Sequence, residues 1–297
     1  MNIDIISKAI QLLGFTYQIE SPLIKSGQRK VYIASDLGSK KKVVIKISPP
    51  DPLSVPRIQR EIKVLESLNS KYFPKILLDL YLSAEIVADL YDIDPIFRDN
   101  LFPVFITVEE YIHNTPWLEN LDKMRDPDHL ISFFIECFYA LSQIWEKKIV
   151  HRDLKPPNIL ITNKFKPVII DFGIAKSLRT DAQDITPVGF DSPKTWQFAA
   201  PEQIENRKDI DYRTDQYAIG ILIFWALTGK FPFGRFDQLS PQEILINMKD
   251  KKYLVNIIDE RPDLPEALTN LIRRLLEPQM YKRFRKPESI ITALKNI

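Results

Sequence analysis

The sequence predicts an α+β fold, a β-rich front third followed by a mainly helical remainder. Three observations predict it. Before residue 112 apolar residues fall mostly in short strand-like runs, whereas beyond it they recur mostly at three- and four-residue steps. Apolar and charged residues, at 45% and 27%, stand in ordinary globular proportion. Proline outnumbers glycine by 22 to 8 in 297 residues, where average usage would supply about 20 glycines. That shortage disfavours folds built on repeated glycine turns.

The elements follow in order. Met1 to Gly14 is amphipathic, and Asp4 and Lys8 interrupt it too early for a signal peptide. Leu23–Ser35 carries Val31, Tyr32 and Ile33 and reads as a strand. Lys42–Ser48 alternates around Val43, Ile45 and Ile47, and Gly38 lies in the turn between the two, which predicts a hairpin. Pro49, Pro50, Pro52 and Pro56 are expected to forbid regular structure. A helical period then runs from Arg57 to Leu68 through Ile58, Ile62 and Leu65. Ile76–Leu82 and Val104–Tyr111 read as strands, and the acidic stretch Ser83–Pro103 between them is ambiguous. Leu130, Phe133, Phe134, Cys137, Phe138, Leu141, Ile144 and Trp145 place a wide apolar stripe on one long helix. Short strands and loops lead to Asp171, and an irregular stretch covers Ser177 to Pro193. A very apolar helix over Thr214–Thr228 and two or three further helices complete the pattern.

Several function classes fall away. The formal net charge is +2, from 41 basic and 39 acidic residues, so no bulk attraction to nucleic acid is expected. The single cysteine, Cys137, forms no internal disulfide and belongs to no zinc-like cluster; it reads as a buried small hydrophobe. The longest strongly apolar stretch, Ala218–Leu227, is well short of the roughly 20 residues that cross a bilayer. The expectation is a cytoplasmic protein with no membrane span.

Three clusters carry chemistry. His151-Arg152-Asp153-Leu154-Lys155-Pro156-Pro157-Asn158 follows the long helix, Asp171-Phe172-Gly173 follows the apolar run Val168–Ile170, and Ala200-Pro201-Glu202 comes third. In this order and spacing they resemble the eukaryotic-like Ser/Thr protein kinase superfamily, bacterial-type members above all. The resemblance covers about residues 20 to 297. It implies a bilobal kinase fold: a helical N-terminal extension over 1–20, an N-lobe over 21–111 with a small antiparallel sheet and one major helix, and a larger helical C-lobe over 112–297. It also implies ATP and Mg²⁺ as cofactors, protein substrates, and transfer of the γ-phosphoryl group to Ser or Thr, autophosphorylation included.

Roles carry over residue by residue. Asp153 matches the catalytic base, and Lys155 would stabilise charge on the transferred phosphate. Thr195 would hydrogen-bond near both, and Lys155 and Thr195 are the Ser/Thr-type choices. Asn158 and Asp171, hard oxygen donors, match the Mg²⁺ ligands. Gly173 permits the turn after Asp171, and Phe172 would stack on His151. Lys46, in Val43-Val44-Ile45-Lys46, matches the lysine on the α- and β-phosphates. Glu61 is the best match for its ion-pair partner, with Glu66 a nearby alternative. Val44 stands where a small residue usually faces adenine. Glu110 and Ile112 resemble the hinge that binds adenine, and Glu109 occupies the preceding position, usually bulky and apolar. Ile24, Gly27 and Val31 belong to the loop over the phosphates, where only one of three usual glycines remains. Lys25, Arg29 and Lys30 could hold phosphate by side-chain charge instead. Asp215 would brace the catalytic loop, and Arg283 would pair with Glu202. Arg152 suggests activation by a phosphate, with Thr180, Thr186 and Ser192 as candidate acceptors. The glycine-poor loop supports a second expectation, a pseudokinase that binds nucleotide or a partner without chemistry.

Overall fold

The computed structural model describes residues 3–26, 29–48, 54–68, 70–98, 101–172, 176–177, 197–235, 238–250 and 256–297. The chain divides into two compact units, Met1–Asn69 with Pro74–Ile112, and Ser70–Phe73 with His113–Ile297. The α+β class is borne out, with a five-stranded antiparallel sheet in the first unit and most of the helix in the second.

Helix α1 (Ile3–Leu12) buries Ile5, Ile6, Ala9 and Ile10, spaced as one helical face. Gly14, at φ +86, takes the left-handed conformation that ends it. Strand β1 (Tyr17–Ser26) follows at once. The last residues of the expected helical extension therefore lie in the sheet, because the left-handed glycine stops the helix early. The single strand expected over Leu23–Ser35 is two, β1 and β2 (Arg29–Asp36), joined where Ser26 pairs with Arg29. The predicted hairpin is formed by β2 and β3 (Lys42–Ser48). Asp36 organises its turn, accepting from Thr16 Oγ1 at 2.7 Å, Gly38 N at 3.0 Å and Ser39 Oγ at 2.6 Å. Hydrogen bonds from Ser39 and Thr16 hold its carboxyl down at about 2.

Helix α2 (Ser54–Ser67) begins three residues before the expected start and includes Pro56. A proline in the first turn forfeits no intrahelical bond, since those N–H groups have no partner within the helix. Strands β4 (Ile76–Leu82) and β5 (Val104–Glu110) complete the sheet in the order β1-β2-β3-β5-β4. The ambiguous stretch between them holds helix α3 (Ala84–Ile93), capped by Ser83, and a 3₁₀ turn, Pro95–Phe97. Its period is hard to read because the exposed side is crowded with Glu85, Asp89 and Asp92, whereas Val87 and Leu90 point inward.

Alternation in β3 and β5 divides the labour of the sheet. Ala34, Val43, Ile45, Ile47, Val104, Ile106 and Val108 join Ile5, Ile6, Ala9 and Ile10 of α1 and Val87 and Leu90 of α3 in one core. Lys8 of α1 pairs with Asp94 just after α3. The sequence insertion and the N-terminal helix thus cover the same face. Val44, Lys46, Thr107 and Glu109 lie on the other face.

In the second unit, helices α4 (Trp117–Arg125) and α5 (Pro127–Glu146) precede β7 (Ile149–Val150), which pairs with β10 (Lys176–Ser177). Strand β6 (Asn114–Thr115) joins β8 (Ile159–Thr162) and β9 (Pro167–Ile169). The expected stripe on α5 is buried, Cys137 with it. After the one-turn α6 (Pro201–Ile204), helix α7 (Arg213–Thr228) is buried on nearly every side. At Gly220 an added Cβ would stand 2.9 Å from Leu275 Cβ, so only glycine admits the close approach of α10 (Glu266–Leu275). Four helices follow α7 among the described residues, α8 (Pro241–Lys249), α9 (Ile257–Glu260), α10 and α11 (Pro287–Lys295). One more than expected is present because α9 is a single turn, too short to show a period. Among the described residues no helix is long and apolar enough to cross a membrane.

Ile6 is 1% exposed. Ile6→Ala should destabilise the first unit by about 2–5 kcal/mol, read as a lowered denaturant midpoint. An unchanged midpoint would show that α1 is dispensable to the core.

Candidate active site

In the first unit, Lys46 meets two carboxylates. Lys46 projects from β3 on the face away from α1, directly opposite Val31 on β2 and Thr107 on β5. Its Nζ lies 3.1 Å from Glu61 Oε1, so α2 reaches this face, and 2.6 Å from Glu109 Oε1. Glu66, the alternative partner, is exposed. Arg29 also pairs with Glu61. Burial acts to raise the Glu61 carboxyl, but Lys46 and Arg29 outweigh it and hold it down at about 2. Val44 lies opposite Ile33 and Glu109, half-buried. Glu110 donates its N–H to the Lys75 carbonyl at 2.9 Å, and Ile112 is half-buried just beyond the strand. Ile24 is the register partner of Val31. The side chains of Ile24 and Lys25, and Gly27 altogether, lie outside the described residues.

In the second unit, Asp153, Lys155, Asn158 and Asp171 lie on neighbouring loops. The segment His151–Lys155 leaves β7 and enters a 3₁₀ turn, Pro156–Asn158. Asp153 Oδ2 is 2.9 Å from Lys155 Nζ and accepts from Asn158 Nδ2 at 2.9 Å. The same amide nitrogen donates to the Asp153 carbonyl at 2.8 Å. Both amide hydrogens thus point to Asp153, which turns the Asn158 carbonyl oxygen away from it. Ile170 N–H donates to the backbone carbonyl of Asn158 at 3.0 Å, tying this turn to the residue before Asp171. Burial pushes the Asp153 carboxyl above its ordinary value; Lys155 opposes the shift, and the nearby Asp171 carboxylate adds to it. Two hard oxygen donors, an aspartate carboxylate and an amide oxygen, suit Mg²⁺, which keeps waters for its remaining positions.

Two residues of these loops are strained in the backbone. Arg152 and Asp171 take left-handed conformations, at φ 70 and 66, which non-glycine residues adopt only when their surroundings impose it. The buried Asp215 carboxylate imposes the first. It accepts from His151 N at 3.0 Å, Arg152 N at 2.9 Å and Trp145 Nε1 at 2.9 Å. Burial pushes Asp215 up despite these donors. His151 Nε2 bonds the Ile170 carbonyl at 3.1 Å, and its Nδ1 accepts from Asp153 N–H at 3.3 Å. Its ring lies 4.9 Å from that of buried Phe172.

Arg283 is fully buried, and all five of its N–H donors are used. Two meet Glu202 side by side, at 2.6 and 2.9 Å. The others reach the carbonyls of Glu277 at 2.7 Å, Arg213 at 2.9 Å and Pro278 at 3.2 Å. Thr214 Oγ1 adds a bond to Glu202 at 2.7 Å. Gly173, Thr180, Thr186, Ser192 and Thr195 lie outside the described residues. Sequence reasoning missed Gln203, whose Nε2 donates to the Arg152 carbonyl at 2.8 Å while its Oε1 accepts from Ala200 N at 3.1 Å. It also missed the engagement of Glu109 with Lys46. A buried acid in the middle of an apolar strand was the available signal.

A family model described as the protein kinase domain matches residues 25–293. A probable serine/threonine-protein kinase of Streptomyces coelicolor is 30% identical over 74% of this chain and 31% of its own length. One from Lactococcus lactis is 29% identical over 63% of this chain and 27% of its own length. A third, from Clostridium acetobutylicum, is 26% identical over 96% of this chain and 40% of its own. The chain therefore matches less than half the length of these relatives.

Removing one side of the buried Arg283–Glu202 pair strands a charge. Arg283→Met should cost about 3–5 kcal/mol in urea unfolding of the second unit. A loss below about 1 kcal/mol, the range of exposed pairs, would contradict the role of this contact as an anchor.

Proposed function

The chain belongs to the protein kinase domain family, among the eukaryotic-like Ser/Thr protein kinases, and on that premise we propose that it transfers the γ-phosphoryl group of ATP to Ser or Thr hydroxyls of proteins. The observation that carries this reading is the state of Asp153. Its carboxylate is oriented by Lys155 and Asn158 through Oδ2, which assigns Oδ1 to the substrate hydroxyl proton. Burial raises its affinity for that proton, as general-base work requires. Lys155 is placed to offset negative charge as the hydroxyl oxygen attacks phosphorus.

Lys46 is assigned to the nucleotide phosphates, and Asn158 and Asp171 to Mg²⁺, which when bound offsets phosphate charge. Val31, Val44 and the chain at Glu110 and Ile112 are assigned to the adenine. Autophosphorylation within the activation segment, at Thr180, Thr186 or Ser192, is part of the same reading, with Arg152 as the counterion.

The purified protein should transfer label from ATP to a generic basic protein in the presence of Mg²⁺. Asp153→Asn should abolish that transfer. Equal incorporation by both proteins would defeat the assignment, and thermal stabilisation by Mg-ATP without turnover would mark a nucleotide-binding scaffold instead.

The pH dependence follows from the same geometry. Asp153 must be deprotonated to accept a proton, so kcat/KM should fall as pH drops through a value above the ordinary aspartate range. Lys155 opposes the upward shift. Lys155→Ala should therefore lower activity and move the acidic limb to higher pH. A limb that stays in place or moves down would show that Lys155 does not act on Asp153.

A further inference from the structure

The first unit contains a buried chain of alternating charges, Arg29–Glu61–Lys46–Glu109. The side chains of Lys46, Glu61 and Glu109 are 11%, 4% and 5% exposed. Two carboxylates thus address one ammonium, and the closer is not Glu61 at 3.1 Å but Glu109 at 2.6 Å.

The ladder explains the reach. Lys46 stands opposite Thr107, and Glu109 stands opposite Val44. Glu109 is therefore the diagonal neighbour of Lys46 on the same face, within range of two long side chains. Its backbone is held on both sides, paired with Val44 of β3 and Ile76 of β4. Glu61 is mounted differently. It is carried by helix α2 and shares its carboxylate with Arg29. A carboxylate as buried as Glu109 is costly unless a cation meets it, and Lys46 does so at hydrogen-bonding distance.

We propose that Glu109 is a positioning residue for Lys46, a second counterion mounted on the sheet that holds the ammonium in place whether or not helix α2 contributes Glu61. This rests on the reading above, in which Lys46 meets the nucleotide phosphates. Glu61 and Glu109 are then partly redundant. Removing one leaves the other carboxylate on Lys46, and removing both takes away both of these counterions at a buried site. Coupling of that kind makes the double loss exceed the combined single losses.

The test compares Glu61→Gln, Glu109→Gln and the double variant in the full chain. Two readouts are taken: KM for ATP against kcat, and acetylation of Lys46 by acetic anhydride in nucleotide-free protein, quantified by mass spectrometry. Each single variant should raise KM for ATP less than about tenfold and leave Lys46 protected. The double variant should raise KM by more than the product of the two and expose Lys46 to acetylation. Should the double variant fail to fold, Glu61→Gln with Glu109→Asp, which withdraws the carboxylate by one methylene, should show the same two effects in weaker form. Three results would overturn the proposal. Glu109→Gln could lower KM, which would make Glu109 a competitor of the phosphates. The KM effects could multiply without excess. Lys46 could be acetylated equally in Glu61→Gln and in the double variant. The acetylation pattern needs no turnover, so it tests Glu109 even if the transfer reaction is not observed.

Discussion

One buried carboxylate sets the geometry on which the second unit depends. Asp215 lies on helix α7, the most enclosed helix of the fold, and gathers three donors from α5 and the loop after β7. Two of them are consecutive backbone amides, those of His151 and Arg152, a convergence that extended chain does not offer. Arg152 is forced into the left-handed region, and Gln203 takes hold of its carbonyl. Arg152 is therefore gripped at both its N–H and its C=O. Gln203 is itself placed by its neighbour Glu202, which Arg283 and Thr214 fix. A line of contacts runs from Arg283 through Glu202 and Gln203 to Arg152, joining three distant parts of the sequence.

The central carboxylates of the two units are held by different means. In the second, Asp215 is met by two backbone amides and an indole. In the first, Glu61 and Glu109 are met by charge, in the sequence Arg29, Glu61, Lys46, Glu109. In the glycine-poor loop, the sequence leaves open that Lys25, Arg29 and Lys30 hold phosphate by side-chain charge or stand as solvated surface charges. Arg29 instead carries part of the Glu61 carboxylate. Its charge is engaged within the protein, and it ties the start of β2 to helix α2.

Much of this was legible in the residues. Alternation about Val43, Ile45 and Ile47 showed which side of β3 faces apolar core and which side carries Lys46. The stripe from Leu130 to Trp145 identified α5, and the spacing of Ile58, Ile62 and Leu65 placed Glu61 on a helix. What stayed hidden has physical causes. The apolar face of α3 contributes few residues per turn, and its acidic side masks them. Pro56 looks like a breaker unless the helix start is known. Glu109 reads as an anomaly until the β3–β5 register is known, since only the register makes it a diagonal neighbour of Lys46. The bond from Gln203 to Arg152 crosses 51 residues, and no local pattern announces it.

The double cover on the first unit's sheet also bears on how the chain is made. Helix α1 is synthesised before any strand it will pack against, and its companion α3 starts only at Ala84. The strand completing their shared core, β5, ends at Glu110. At about 5–20 residues per second, the apolar face of α1 waits on the order of 5–20 s in the nascent chain. Through that interval Ile5, Ile6 and Ile10 lack the part of their core that α3 and β5 supply. The contacts that seal it are among the most non-local in the first unit, and such contacts form slowly. The unit's last-made strand thus completes the binding site of its first-made helix.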